Sequence, residues 1–305
     1  MAELPFIIPP QEPLTRIGRC IYCLKAPPEV KLTDEHPIPF SFGGHRYLPD
    51  AACTECIKKT HAFIGSCAGT MLNALRLHHS LPSRSARKRR PRKETIGLVV
   101  GDDAAVEQFH KDEAPGVVTF PRIHLPGVIF DEPLTNEITT DNPPYFTFTT
   151  PDWRERVETL QGGPKGSIAW DGGKPFAFAR VLAHVAYGYY VANLGIPEQS
   201  PLRAIIMGED ECLSHWVGGT PDPFVVLATP PPSGSLHQVF GLGYVIDGVE
   251  YYATQIRLFA YLNPTPPVYS VIVARRELSK GNYYLTFTRD EATDSVFVEG
   301  PICRI

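Results

Sequence analysis

With 305 residues, of which 43% are hydrophobic and 20% charged, the chain is long enough for one large or two ordinary domains and too apolar for wholesale disorder. The net charge of −4 hides an asymmetry: residues 1–93 carry 15 Lys and Arg against 7 Asp and Glu, a net +8, whereas residues 94–305 carry 14 against 26, a net −12. No run approaches the ~20 apolar residues of a bilayer-spanning helix, and the N-terminus MAELPFIIPPQEPL has no basic segment followed by an apolar one, so no membrane partner and a cytoplasmic location are expected.

In chain order, residues 1–17 are proline-rich and predict an extended arm. Residues 18–79 predict a small module. Cys20 and Cys23 form one C-x-x-C knuckle, Cys53 and Cys56 a second, with a metal-held hairpin between them. Ala62, Phe63, Cys67, Met71, Leu72 and Leu75 recur at three- and four-residue spacing, which predicts a helix from about Ile57 to His79. Residues 80–95 read as a linker, because the stretch SLPSRSARKRRPRK carries seven basic residues. Residues 96–305 predict an α+β domain. Residues 174–194 are its long buried helix, with Pro175 in the first turn and Gly195 just past the end. From His237 the apolar period becomes two, and Asp247-Gly248 marks a hairpin turn; PVYSVIVARR and NYYLTFTRD add strands to an antiparallel sheet.

The chemistry concentrates in the first module. Each knuckle aims two thiolates at one ion, so Cys20, Cys23, Cys53 and Cys56 are the expected ligands of a structural Zn2+, which replaces the core that so small a module cannot build alone. Between the knuckles stands Asp34-Glu35-His36, followed by a proline and the Gly43-Gly44 turn. A carboxylate beside a histidine suits metal-assisted phosphodiester hydrolysis: the acid binds a divalent cation and the imidazole takes a proton from water.

The order C-I-Y-C, then E-H-P-I-P-F-S-F-G-G over residues 35–44, then C-T-E-C opening a helix, resembles the HNH endonuclease superfamily, in the branch whose motif runs E-H-I-I-P-x-x-L-G-G. The resemblance covers residues 18–70. The stretches KPFAFARVLAHVAYGY and TQIRLFA are also similar to segments that follow the zinc module in some bacterial HNH-type proteins. It implies a ββα-metal fold with His36 as general base and Glu35, or Asp34, as ligand of a catalytic Mg2+, Mn2+ or Ni2+. Asp50 lies near the family's middle Asn, which orients the base. One position departs from the pattern: Ile57 stands where the family has a His or Asn ligand. His61, one turn on, either takes that part or is a surface histidine.

The expected partner is nucleic acid, double-stranded DNA first, met by Arg46, Lys58 and Lys59 beside the site and by Arg84, Arg87, Lys88, Arg89, Arg90, Arg92 and Lys93 in the linker. The acidic C-terminal part is expected to choose the target or bind a partner protein. The alternative, prompted by Ile57, is an inactive zinc module that docks onto nucleic acid or protein. His184, within an apolar helix, reads as a satisfied core histidine.

Overall fold

The computed structural model describes residues 9–79, 81–82, 93–100, 103–110, 112–132, 138, 140–160, 166–169, 174–209, 212–232, 234–277, 283–290 and 295–303. In chain order the strands and helices are β1 (Glu12–Pro13), β2 (Leu32–Glu35), β3 (Arg46–Cys53), α1 (Thr54–Gly69), α2 (Asn73–His78), β4 (Lys93–Val100), β5 (Asp103–His110), β6 (Val117–Ile123), β7 (Thr140–Phe148), α3 (Trp153–Leu160), β8 (Gly166–Ala169), α4 (Pro175–Leu194), α5 (Pro201–Met207), α6 (Leu213–Trp216), β9 (Val217–Gly219), β10 (Gln238–Ile246), β11 (Val249–Arg257), β12 (Tyr269–Arg275), β13 (Tyr283–Asp290) and β14 (Ser295–Cys303). The chain is a mixed α+β protein with several antiparallel pairings.

The N-terminal unit is β2 and β3, antiparallel, running directly into α1, with β1 parallel on the outer edge of β3. The pairing shifts register between Thr33 and Glu35. This irregularity leaves Asp34 exposed and turns Glu35 into the interior opposite Leu48. Between the strands, Gly43 adopts φ 92° after a short turn over Phe40–Phe42. A Cβ on Gly44 would run into the carbonyl oxygen of Ile38, so the turn closes only on glycine.

The single helix expected over 57–79 is two. Helix α1 already begins at Thr54, with Cys53 as its extended N-cap, and stops at Gly69; α2 starts at Asn73. The break falls at Gly69-Thr70, two weak helix formers, where the Thr70 hydroxyl donates to the Ser66 carbonyl 2.8 Å away.

Helix α4 follows the sequence expectation closely. Pro175 sits in its first turn, Gly195 follows at φ 81°, and the helix is buried on nearly all sides. It is pressed between the N-terminal unit and the six-stranded sheet β14-β13-β10-β11-β12-β9. Asp247 and Gly248 take φ 47° and 77° in the two-residue turn that pairs Ile246 with Val249, as the Asp-Gly signal predicts. Alternate residues of the sheet face two cores. Ile256, Val271 and Val273 pack with α4, whereas Tyr244, Ala253 and Ile272 pack on the opposite face with Ile129. The first of these cores is continuous from the knuckle residues Cys20 and Ile21, through Phe63 of α1 and Tyr187 of α4, to Val273. Among the described residues, no helix is long and apolar enough to cross a membrane.

Candidate metal centre and acid–histidine site

The four knuckle cysteines converge. One ligand atom from each of Cys20, Cys23, Cys53 and Cys56 lies within 4.8 Å of the others. The Sγ atoms of Cys23 and Cys53 are 3.8 Å apart, which matches the ~3.8 Å edge of a tetrahedron built on Zn–S bonds of ~2.3 Å. The donor set and its spacing are therefore compatible with structural zinc. Local backbone explains the convergence. In the first knuckle Leu24 turns left-handed at φ 64° and its N–H donates to the Cys20 carbonyl, while the Cys20 N–H donates to Lys25. The second knuckle straddles the start of α1, so Cys56 sits in a first helical turn, where the positive end of the helix favours thiolate. The Ile21 N–H donates to the Ala51 carbonyl and docks one knuckle on the strand that leads to the other. A hydrogen bond from Cys56 holds the Cys20 thiol well below the ordinary range, and the same contact pushes Cys56 up. A metal that bound all four would take them as thiolates and displace the remaining protons.

Glu35 and His36 stand at the end of β2, at 8% and 5% exposure. The His36 N–H donates to Glu35 Oε1 at 3.1 Å, and the His36 ring contacts those of Phe40 and Tyr47, with centroids 5.6 and 5.8 Å away. Helix α4 covers this corner. His184 Nε2 meets the His36 carbonyl oxygen at 3.1 Å, and its Nδ1 meets the Tyr22 hydroxyl at 3.0 Å. A carbonyl only accepts, so Nε2 carries the proton and Nδ1 accepts from Tyr22. Burial, foremost, draws the His184 pKa down to about 4, with His61 and His36 adding to the effect. The 3.9 Å approach of Glu35 Oε1 to His184 is thus not an ion pair at neutral pH. His61 is exposed on α1, and its charge is among the influences that lower the His184 pKa. Ile57 packs against the core instead. Among the described residues, the cysteine cluster is the one group of three or more Cys, His, Asp and Glu side chains drawn to a common point.

The remaining sequence-predicted residues lie as follows. Arg46 pairs with Glu12 at 3.3 Å, Lys58 with Glu55 at 2.7 Å and Lys59 with Glu209 at 3.3 Å, all on the surface. Asp50, at φ 50°, accepts from Arg16 at 2.6 Å. Lys93 opens β4, and Arg84, Arg87, Lys88, Arg89, Arg90 and Arg92 lie outside the described residues. Sequence reasoning had no means of finding Tyr22 as a partner of His184, 162 residues away, or His184 as a partner of His36, 148 residues away. No local pattern encodes either contact.

Comparison with family models, with curated proteins and with solved structures gives no match. The functional reading therefore rests on the residues themselves.

Proposed function

We propose that this chain is a metal-dependent endonuclease of HNH type that hydrolyses phosphodiester bonds, with double-stranded DNA as the expected substrate. One observation carries the reading. On a strand–strand–helix unit bracketed by four clustered cysteines, Glu35 ends β2 and His36 follows it, with His184 Nε2 on the His36 carbonyl. Carboxylate and imidazole are donors that Mg2+, Mn2+ or Ni2+ accepts, and Mg2+ keeps several waters, so two protein ligands suffice. Glu35 and His61 would hold that ion, which when bound would stabilise charge developing at the phosphoryl group.

The protein's own part is positioning and proton transfer. His36 would take the proton of the attacking water at a ring nitrogen. The His184 N–H on the His36 carbonyl fixes the backbone from which that ring projects, and Phe40 and Tyr47 restrict how the ring turns. Arg46, Lys58 and Lys59 would neutralise phosphate. Their exposed ion pairs to Glu12, Glu55 and Glu209 are worth only ~0–1 kcal/mol each and exchange readily.

The burial of Glu35 and His36 beneath α4 favours a second reading, a zinc-held module that binds nucleic acid or a protein partner without cutting. A plasmid-nicking assay with Mg2+, Mn2+ and Ni2+ separates the two. Nicking that EDTA and His36→Ala both abolish supports the enzyme. Folded, zinc-loaded protein that binds plasmid but leaves it intact with every metal supports the binding module.

A further inference from the structure

A large cavity flanks the C-terminal sheet, away from the cysteine cluster in sequence and in the residues that line it. It has a volume of about 930 Å3 and is lined by Arg122, Tyr145, Asp222, Arg257 and Tyr269, with prolines between them. That volume falls in the range of ~300–1,000 Å3 typical of small-molecule sites.

Arg257 distinguishes this cavity. The residue ends β11 and is only 4% exposed, yet a guanidinium stays charged inside a protein. Its Nε donates to the Pro266 carbonyl at 3.2 Å, Nη1 to the Ala228 carbonyl at 2.8 Å and to Gln238 Oε1 at 2.6 Å, and Nη2 to Thr229 Oγ1 at 2.9 Å. All four acceptors are neutral. They hold the fork rigidly and leave one Nη2 N–H unused, since a guanidinium offers five donors. Among the described residues, no carboxylate is in ion-pair contact with it. Burial draws its pKa down, while Tyr145 and Asp222 act the other way across the cavity. A buried charge held by neutral dipoles alone is costly unless an anion meets it.

A second guanidinium, that of Arg122, also lines the cavity. Arg122 projects from β6 and sits over the Tyr145 ring, 5.7 Å from its centroid. His124, two residues on, is exposed on the same face of that chain segment and also lines the cavity. Tyr145 and the proline rings add apolar surface to the lining beside the two arginines. Among the described residues, the one acidic side chain in the wall, Asp222, is exposed.

We infer that this cavity is a binding site for a small organic anion, whose carboxylate or phosphate group is held by Arg257 and Arg122 and whose apolar body lies against Tyr145 and the proline rings. The site is independent of the proposed nuclease centre.

Full-length protein is titrated by calorimetry and by thermal shift with citrate, inorganic phosphate and adenosine monophosphate, against adenosine and sodium chloride of equal ionic strength. Saturable binding of at least one anion, without binding of adenosine, is the expected result; citrate against the two phosphates tells which head group is preferred. Arg122→Gln weakens that binding by about tenfold or more, the usual effect of losing one charge-assisted hydrogen bond. Asp222→Asn leaves it equal or tighter. Arg257→Lys, which keeps the charge and loses the fork, weakens it even where Arg257→Gln fails to fold. His36→Ala leaves it unchanged, which separates the cavity from any phosphate held at the nuclease centre. The inference is overturned by the absence of saturable binding for all three anions, by equal affinity in Arg122→Gln and Arg257→Lys, or by loss of binding in His36→Ala.

Discussion

Lowering the pH from 7.5 to 4.5 should strip stability from this protein through His237, and the amount follows from its surroundings. The His237 Nε2–H donates to the Phe42 carbonyl at 2.9 Å, and its Nδ1 accepts from the Phe259 N–H at 3.1 Å. The ring thereby ties the Gly43-Gly44 turn of the N-terminal unit to the segment that follows β11. Both bonds require the neutral tautomer, because a proton on Nδ1 would face another N–H. Burial draws the pKa down from 6.5 to about 4. The folded value is the lower one, so the unfolded chain takes up the proton first as pH falls. The contribution is complete above about 6.5 and is lost progressively toward 4. A shift of that size is worth roughly 3 kcal/mol in full, most of it gone by pH 4.5. Urea unfolding of the wild type and of His237→Gln at the two pH values measures it. The wild type should lose roughly 2–3 kcal/mol more than the variant, whose amide does not titrate. Equal losses would refute the assignment of the neutral, doubly bonded ring.

Four further outcomes are expected. Cys20→Ser should abolish bound zinc in elemental analysis and lower the melting temperature, because one thiolate fewer breaks the tetrahedron; full zinc retention would place the ion elsewhere. Tyr187→Phe removes the 2.7 Å hydrogen bond that α4 donates to the Ile21 carbonyl in the first knuckle, and should cost about 1–3 kcal/mol in chemical denaturation. Gly188→Ala would put a Cβ 2.8 Å from Pro37 Cα, next to His36, so it should cost roughly 1–3 kcal/mol in the same assay and displace the corner on which nicking depends. Arg46→Ala should weaken DNA binding about equally for all sequences and reduce the salt slope by about 1, measured by filter binding across a salt series.

What the sequence made legible was local. Two C-x-x-C knuckles have the spacing of paired metal ligands, and the four thiols converge as that spacing implies. Pro175, Gly195 and Asp247-Gly248 punctuate the chain by backbone preference, and α4 and the β10–β11 hairpin end where they say. The rest depends on contacts between distant residues. The break at Gly69-Thr70 is marked in the sequence only by two weak helix formers inside an unbroken apolar pattern, and the pattern outweighed them. The continuous core joining Ile21 to Tyr187 and Val273 left no periodic trace, since each segment separately reads as a buried face. The register shift that turns Glu35 inward and Asp34 outward is likewise invisible until β3 is in place. His184 was legible as a core histidine; its grip on the His36 carbonyl was not.

The most direct test of the account is plasmid nicking by one preparation shown to hold one zinc per chain, assayed with Mn2+ as wild type, His36→Ala and His61→Ala. The account predicts metal-dependent nicking by the wild type, none by His36→Ala, and a higher Mn2+ requirement for His61→Ala. Nicking that persists undiminished in His36→Ala, or intact plasmid throughout from folded wild-type protein, would contradict it.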